Sequence, residues 1–396
     1  VISAITSSCP SKNPENPKYR FNASCGVIKS GFVKGPGMAG QMNNSKTQQV
    51  NPINPHPKAP KKGQAFYYLP QSPNNRTGLL LLATHLQPHR PTIAPNPPTL
   101  FSSPHPTATY APTMLEITPI ASTRSRWGEG PVWWKNSLYY VDIEGHRVHR
   151  FTPSDNSESS WEIGQRVGTV VPRESGGLLI AGDHGIAFLD EETGTLTPIA
   201  DPEPDKPDNR FNDGKCSPDG RFFAGTISLI KKTGDAKLYR LDPDLTLHEA
   251  FGPVTNSNGI VWSPDGLTVY YIDTPRAEVL AFDYDNGHLR NLRTAFSTAA
   301  IPASPDGMAI DENGNLWIAF CHGACVVCFA PMTGEILRRI DLPCLETTAC
   351  AFGGPALEDL YVTTGIHKTE VEEHAGRLFI IRGLGVKGLP AHAFAG

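Results

Sequence analysis

The sequence predicts an all-β fold, a six-bladed β-propeller carried behind a disordered N-terminal extension. Three observations lead there. A short β-rich run preceded by a turn recurs six times at near-constant spacing. No long helical pattern intervenes between the runs. The first 113 residues differ in charge and composition from everything that follows.

The extension comes first in the chain. Residues 1–113 hold 11 Lys or Arg against a single acid, Glu15, and 18 of the 37 prolines. The remaining residues carry 24 bases against 38 acids, so the formal net charge of −4 sums two opposite segments. Stretches such as "NPINPHPKAPKK" cannot bury enough apolar surface to offset ordering entropy. They are expected to form a passive, disordered, basic extension, with the globular pattern beginning at Met114. The apolar run Leu79 to Ala83 is too short to span a bilayer. No charged stretch precedes an apolar run as a secretory signal requires, so the sequons at Asn22, Asn43 and Asn75 carry little weight. Eight cysteines in 396 residues do not suggest a disulfide framework, and a reducing cytoplasm is the expected compartment.

The repeat follows from Met114. The runs are "PVWWKNSLYYVDI", "VPRESGGLLIAGD", "CSPDGRFFAGTI", "WSPDGLTVYYIDT", "AIDENGNLWIAF" and "AFGGPALEDLYVTT". The first apolar residue after each turn is Leu138, Leu178, Phe222, Val269, Leu316 and Leu360, at intervals of 40 to 47 residues. That interval suits propeller blades. A further strand follows each run: "HRVHRF", "GIAFLD", "AKLYRL", "EVLAFD", "CVVCFA" and "RLFIIR". Residues 114–396 therefore supply six units, and radial packing leaves only short protected edges. The strand-like "MLEITPIA" is expected to close the ring by joining the last blade.

Equivalent positions in a propeller form a ring about its axis. About ten residues before the anchors, in the turn entering each innermost strand, lie Glu129, Asn212, Asn258 and Asp306. Blades two and six have Gly168 and Cys350 near the same phase. Two carboxylates facing each other near an axis are costly unless a cation compensates. Carboxylate and amide oxygens suit one divalent ion, Ca²⁺ first, with Mg²⁺, Mn²⁺ or Zn²⁺ as alternatives. The competing reading is that "SNG" and "SPDG" are ordinary turn chemistry, but four in phase favour the ion. "CHGACVVC" brings Cys321, Cys325 and Cys328 close in sequence, yet it lacks a second ligand pair, and alternation sends Cys325 and Cys328 to opposite faces. Cys344 and Cys350 read as strand packing, and His146 and His149 as polar outer-strand positions. No phosphate-binding loop, dinucleotide fingerprint, G-x-S-x-G elbow or H-E-x-x-H motif is present.

"WGEGPVW", "RFNDGKCSPDGRFFAGTI", "NSNGIVWSPDGLTVYYIDT" and "SPDGMAIDENGNLWIAF" resemble the SMP-30/gluconolactonase/LRE (regucalcin-like) family, and so does the ending "GLGVKGLPAHAFAG". The resemblance covers about residues 114–396. It implies a six-bladed propeller with one divalent cation in the channel and hydrolysis of cyclic esters, typically aldonolactones. It further implies Glu129, Asn258 and Asp306 as metal ligands, and Asp306 as general base. Arg210 and Asn212 match substrate contacts, with Asp213 beside them. One departure stands out: the family's acidic pair after "AGT" is replaced by "ISLIKK", with Leu229 and Ile230. Substrates with an apolar portion come into view there. The expected partner is a small-molecule lactone, with no nucleic acid and no membrane. The alternatives are another propeller hydrolase, such as an organophosphatase or arylesterase, and a non-enzymatic calcium-binding protein.

Overall fold

The computed structural model describes residues 114–366 and 372–396. The expected extension, residues 1–113, lies outside the described residues. What is described is built from six four-stranded antiparallel sheets. Strand β1 (Glu116–Ile120) belongs to the last of them. Blade one holds β2 (Gly128–Trp134), β3 (Ser137–Asp142), β4 (Arg147–Thr152) and β5 (Ser157–Glu162). Blade two holds β6 (Val167–Pro172), β7 (Leu178–Gly182), β8 (Gly185–Leu189) and β9 (Leu196–Ala200). Blade three holds β10 (Asn209–Cys216), β11 (Phe222–Ser228), β12 (Ala236–Leu241) and β13 (Leu247–Val254). Blade four holds β14 (Ser257–Trp262), β15 (Thr268–Asp273), β16 (Glu278–Asp285) and β17 (His288–Ser297). Blade five holds β18 (Ser304–Ile310), β19 (Leu316–Cys321), β20 (Cys325–Ala330) and β21 (Glu335–Asp341). Blade six holds β22 (Thr347–Gly353), β23 (Asp359–Thr364) and β24 (Leu378–Arg382), completed by β1.

All six predicted anchors fall in the second strand of their blade, each with 1% exposure or less. The ring closes as expected: β1 pairs antiparallel with β24, from Glu116 opposite Arg382 to Ile120 opposite Leu378. The innermost strands β2, β6, β10, β14, β18 and β22 each pack against the next, and β22 packs back on β2.

Side-chain alternation explains the core. Leu138 and Tyr140 of β3 pack with Tyr361 and Ile380 of blade six, whereas Tyr139 and Val141 pack with Val170 and Ile180 of blade two. Every blade is apolar on both faces because both face another blade. The six apolar clusters each bridge one pair of neighbouring blades. Cys325 and Cys328 fall in different clusters, as alternation requires. The six cysteines of the described residues are all buried and unpaired. Three expectations need correction. Cys344 lies between β21 and β22, outside any strand. His149 is buried on β4, stacked 4.9 Å from Tyr140, because its blade face meets a neighbour. His146 sits in the turn before β4 in the left-handed region, φ 58°.

Each innermost strand carries a bulge at the same phase: after Glu129, Val167, Phe211, Asn258, Pro305 and Thr347. A bulge re-aims side chains and breaks pairing locally. The oxygen-bearing residues predicted for the entering turns lie within these bulged strands instead. The glycines after them answer to packing. A Cβ on Gly307 would come 2.3 Å from the Ala349 Cβ in blade six, and one on Gly259 would come 2.7 Å from the Met308 Cβ in blade five. The "NG" and "DG" pairs therefore mark close blade-to-blade approach.

The C-terminal segment crosses the far end of the channel. Gly388 bridges Asp311 of blade five, the Phe394 N–H bonds Pro172 O of blade two, and the Ala395 N–H bonds Gly220 O of blade three. His392 lines the small cavity beneath the axis. The channel is thus open at one mouth. Gly307→Ala is expected to destabilise the ring by about 1–3 kcal/mol through overpacking. Urea unfolding monitored by tryptophan fluorescence measures this, and an unchanged midpoint would show that blades five and six have room to spare.

Candidate metal centre and active site

The site is assembled by the bulges. Glu129, Arg210, Asn212, Asn258 and Asp306 all line one cavity of about 710 Å³ at the open mouth. They come from blades one, three, four and five, and each is at most 8% exposed. Asp213 points elsewhere: it lines a small cavity deeper on the axis with Lys215, Met308 and His392. Asn212 and Asp213 are the two residues within the bulge between Phe211 and Gly214, and they line different cavities.

Burial and mutual repulsion dominate the electrostatics. The Glu129 carboxyl is pushed up to about 8, first by burial and then by the charge of Asp213, against the Gly130 N–H and Arg210. Asp306 is raised well above the usual carboxylate range by burial, then by Glu129, Asp213 and Glu346. Burial also raises Asp213, opposed by Lys215. Among the described residues neither Glu129 nor Asp306 has an ion-pair partner, and Asp306 accepts no hydrogen bond. Among the described residues, the one hydrogen bond to the Glu129 carboxylate comes from the Gly130 N–H at 3.0 Å. Arg210 is lowered to about 10 by burial and then by the charge of Arg166.

The amide network fixes how Asn258 faces. Thr274 donates its hydroxyl to Pro305 O at 2.9 Å, so its oxygen must accept from Asn258 Nδ2 at 2.6 Å. Asn258 Oδ1 then looks away from Thr274 and accepts from Asn212 Nδ2 at 2.8 Å. Arg210 Nη1 in turn donates to Asn212 Oδ1 at 2.7 Å and to Phe211 O at 2.8 Å. Thr274 thereby ties Asn258 to the residue preceding Asp306 across two blades. Sequence reasoning missed Thr274. Its only local signal is that it follows the strand "TVYYID" paired with β14.

Two buried carboxylates and an amide oxygen, short of positive charge and facing one cavity, fit a hard divalent cation. The donor set contains no sulfur or imidazole. The mouth continues into a neighbouring cavity of about 920 Å³, which shares Trp127, Arg210 and Lys231. Leu229 lines it, while Ile230 is 62% exposed. Among the described residues, no helix is long and apolar enough to cross a membrane.

Comparisons with known proteins show the family and the fold. Residues 127–366 match the family model described as SMP-30/Gluconolactonase/LRE-like region. The chain is 40% identical over 293 residues to the regucalcin of Danio rerio, covering 71% of this chain and 99% of that protein. Its fold is similar to that of a luciferin-regenerating enzyme, with a TM-score of 0.67 and 28% identity over 72% of this chain and 100% of the other. It is also similar to a calcium-binding regucalcin from Agrobacterium tumefaciens, with a TM-score of 0.66 and 25% identity over 70% and 96% of the two chains.

The raised Glu129 carboxyl has a consequence for stability. Its native pKa, about 8, exceeds the value of 4.5 expected when unfolded. The native state then binds more protons between those values, so stability falls as pH rises through that window. Melting of chelator-treated protein is expected to drop from pH 5 to pH 9. Glu129→Gln should flatten that slope and Ca²⁺ should oppose it. An equally steep slope in Glu129→Gln would contradict the buried, uncompensated charge.

Proposed function

Because the chain belongs to the SMP-30/gluconolactonase/LRE-like family, we propose that it is a divalent-cation-dependent hydrolase that opens a sugar lactone of the gluconolactone type. The observation that carries this reading is the pair of buried carboxylates, Glu129 and Asp306, facing one cavity with Asn258 and Arg210 and lacking an ion-pair partner among the described residues. Glu129, Asn258 and Asp306 are the residues that would hold the cation. The all-oxygen donor set favours Ca²⁺. When bound, the ion supplies a Lewis acid for the lactone carbonyl.

The chain's own groups do the rest. Asp306 takes the proton from the attacking water, since its oxygens are committed to no hydrogen bond among the described residues. Arg210 offers a fixed positive charge to the oxyanion that develops as the ring opens. Asn212 holds Arg210 and Asn258 in register and contacts the sugar hydroxyls beside them. Asp213, in the deeper cavity, contributes charge to the axis and stands behind the substrate. Leu229 in the adjoining wall suits a lactone with an apolar portion. The six cysteines among the described residues, all buried and without a disulfide, suit a reducing compartment, and we propose the cytoplasm.

The test is to strip the full-length protein of metal, assay a panel of aldonolactones, aryl esters and organophosphates, and add back each cation singly. Aldonolactone hydrolysis restored by Ca²⁺ is the expected result. Preferential hydrolysis of aryl esters or organophosphates would move the protein to another hydrolase class. Tight Ca²⁺ binding with no hydrolysis of any substrate would leave a calcium-binding protein. Asp306→Ala is expected to lose at least about 10² in kcat. Near-normal turnover in that variant would remove Asp306 from its assigned role.

A further inference from the structure

We propose that Cys321, His322 and Glu346 form a second metal site, for one borderline-soft divalent cation of the Zn²⁺ type, at the rim of the same cavity. Cys321 ends β19 in blade five, His322 begins the turn that follows, and Glu346 immediately precedes β22 in blade six. An isolated antiparallel bridge joins Cys321 to Glu346 across the two blades. One ligand atom from each of the three residues lies within 4.8 Å of the other two. All converge on a single carboxylate oxygen. Glu346 Oε2 is 2.6 Å from His322 Nδ1, accepts from the Cys321 thiol at 3.3 Å, and accepts from the His322 N–H at 3.2 Å.

The surroundings suit an ion. The Glu346 side chain is 1% exposed and Cys321 is buried, while the His322 side chain is 50% exposed. Cys321 and His322 both line the cavity that contains Glu129, Asn258 and Asp306. Three protein donors with one side open to a cavity match the coordination of an open zinc site. One sulfur, one nitrogen and one oxygen donor discriminate against Ca²⁺ and Mg²⁺, which take oxygen. The two sites therefore sort cations by donor chemistry. At bond lengths of about 2.0–2.3 Å, tetrahedral donors sit about 3.3–3.8 Å apart. His322 and Glu346 need only part by about 1 Å to reach that spacing.

Protons hold the place of the ion. The thiol proton and the proton between His322 Nδ1 and Glu346 both point at the shared carboxylate. Binding sends the thiol proton to solvent and moves the imidazole proton off Nδ1. A dication with one thiolate, one carboxylate and a neutral imidazole is then charge-balanced. The "CHGACVVC" stretch lacks this third ligand because blade six supplies it: Glu346 lies 25 positions after Cys321.

The experiment uses full-length, chelator-stripped protein titrated anaerobically with Co²⁺, reading thiolate-to-metal charge-transfer absorption in the near ultraviolet. Zn²⁺ bound at equilibrium dialysis is counted in parallel. The expected result is a charge-transfer band that saturates at one equivalent, vanishes in Cys321→Ser and persists in Glu129→Gln. No band in the unmodified protein, or a band that survives Cys321→Ser, overturns the proposal. Should Cys321→Ser fail to fold, His322→Asn decides, because Asn tolerates the left-handed backbone at this position, φ 64°. Loss of one Zn²⁺ equivalent in His322→Asn supports the site, and an unchanged count refutes it. A protein that hydrolyses no lactone yet shows the band keeps this inference while losing the hydrolase reading.

Discussion

Uncompensated negative charge in a buried channel is the constraint around which this molecule is organised. Glu129 and Asp306 each lose solvation on entering the ring; the charge of Asp213 raises the cost of ionising both, and that of Glu129 raises it further for Asp306. Arg210 offsets part of it, from a position where it forms no ion pair with either acid, and Lys215 does the same for Asp213 in the deeper cavity. A fold seeking only stability would place apolar groups there. The retained charge is what the proposed cation site would use.

That arrangement depends on ring closure. Pairing of β1 with β24 gives the last blade its fourth strand, and packing of β22 on β2 fixes the first blade against the last. Glu129 and Asp306 come from blades one and five, with blade six between them on the shorter way round. The distance between the carboxylates is therefore a property of the closed ring. The in-phase bulges contribute the aim, and the glycines that follow Asn258 and Asp306 allow the blades to approach closely enough for those side chains to share one cavity.

The mouth of the channel brings two kinds of ligand chemistry into a single cavity. The axial set is all oxygen, whereas the rim set at Cys321, His322 and Glu346 mixes sulfur, nitrogen and oxygen. Hard and borderline-soft ions have different preferences for these donors. Occupancy of the rim would place positive charge beside the axial carboxylates, so the two sites are electrostatically linked: Glu346 already contributes to the raised pKa of Asp306.

Much of this was legible in the chain itself. Blade number, anchor phase, the closing strand and the in-phase oxygens follow from local periodicity and turn residues, which are written within each repeat of 40 to 47 residues. Glu129, Asn258 and Asp306 were legible for the same reason, because rotational repetition converts a sequence phase into a shared radius. The structure decided what depends on contact between blades. It placed the oxygen-bearing residues within bulged strands, sent Asp213 to the deeper cavity away from Asn212, and buried His149 where the sequence suggested an exposed face. It set Thr274 as the group that turns Asn258, and it joined Glu346 to Cys321 and His322 across a blade boundary. Those relations are non-local: they arise from how neighbouring sheets pack and twist, and no spacing along one strand encodes them.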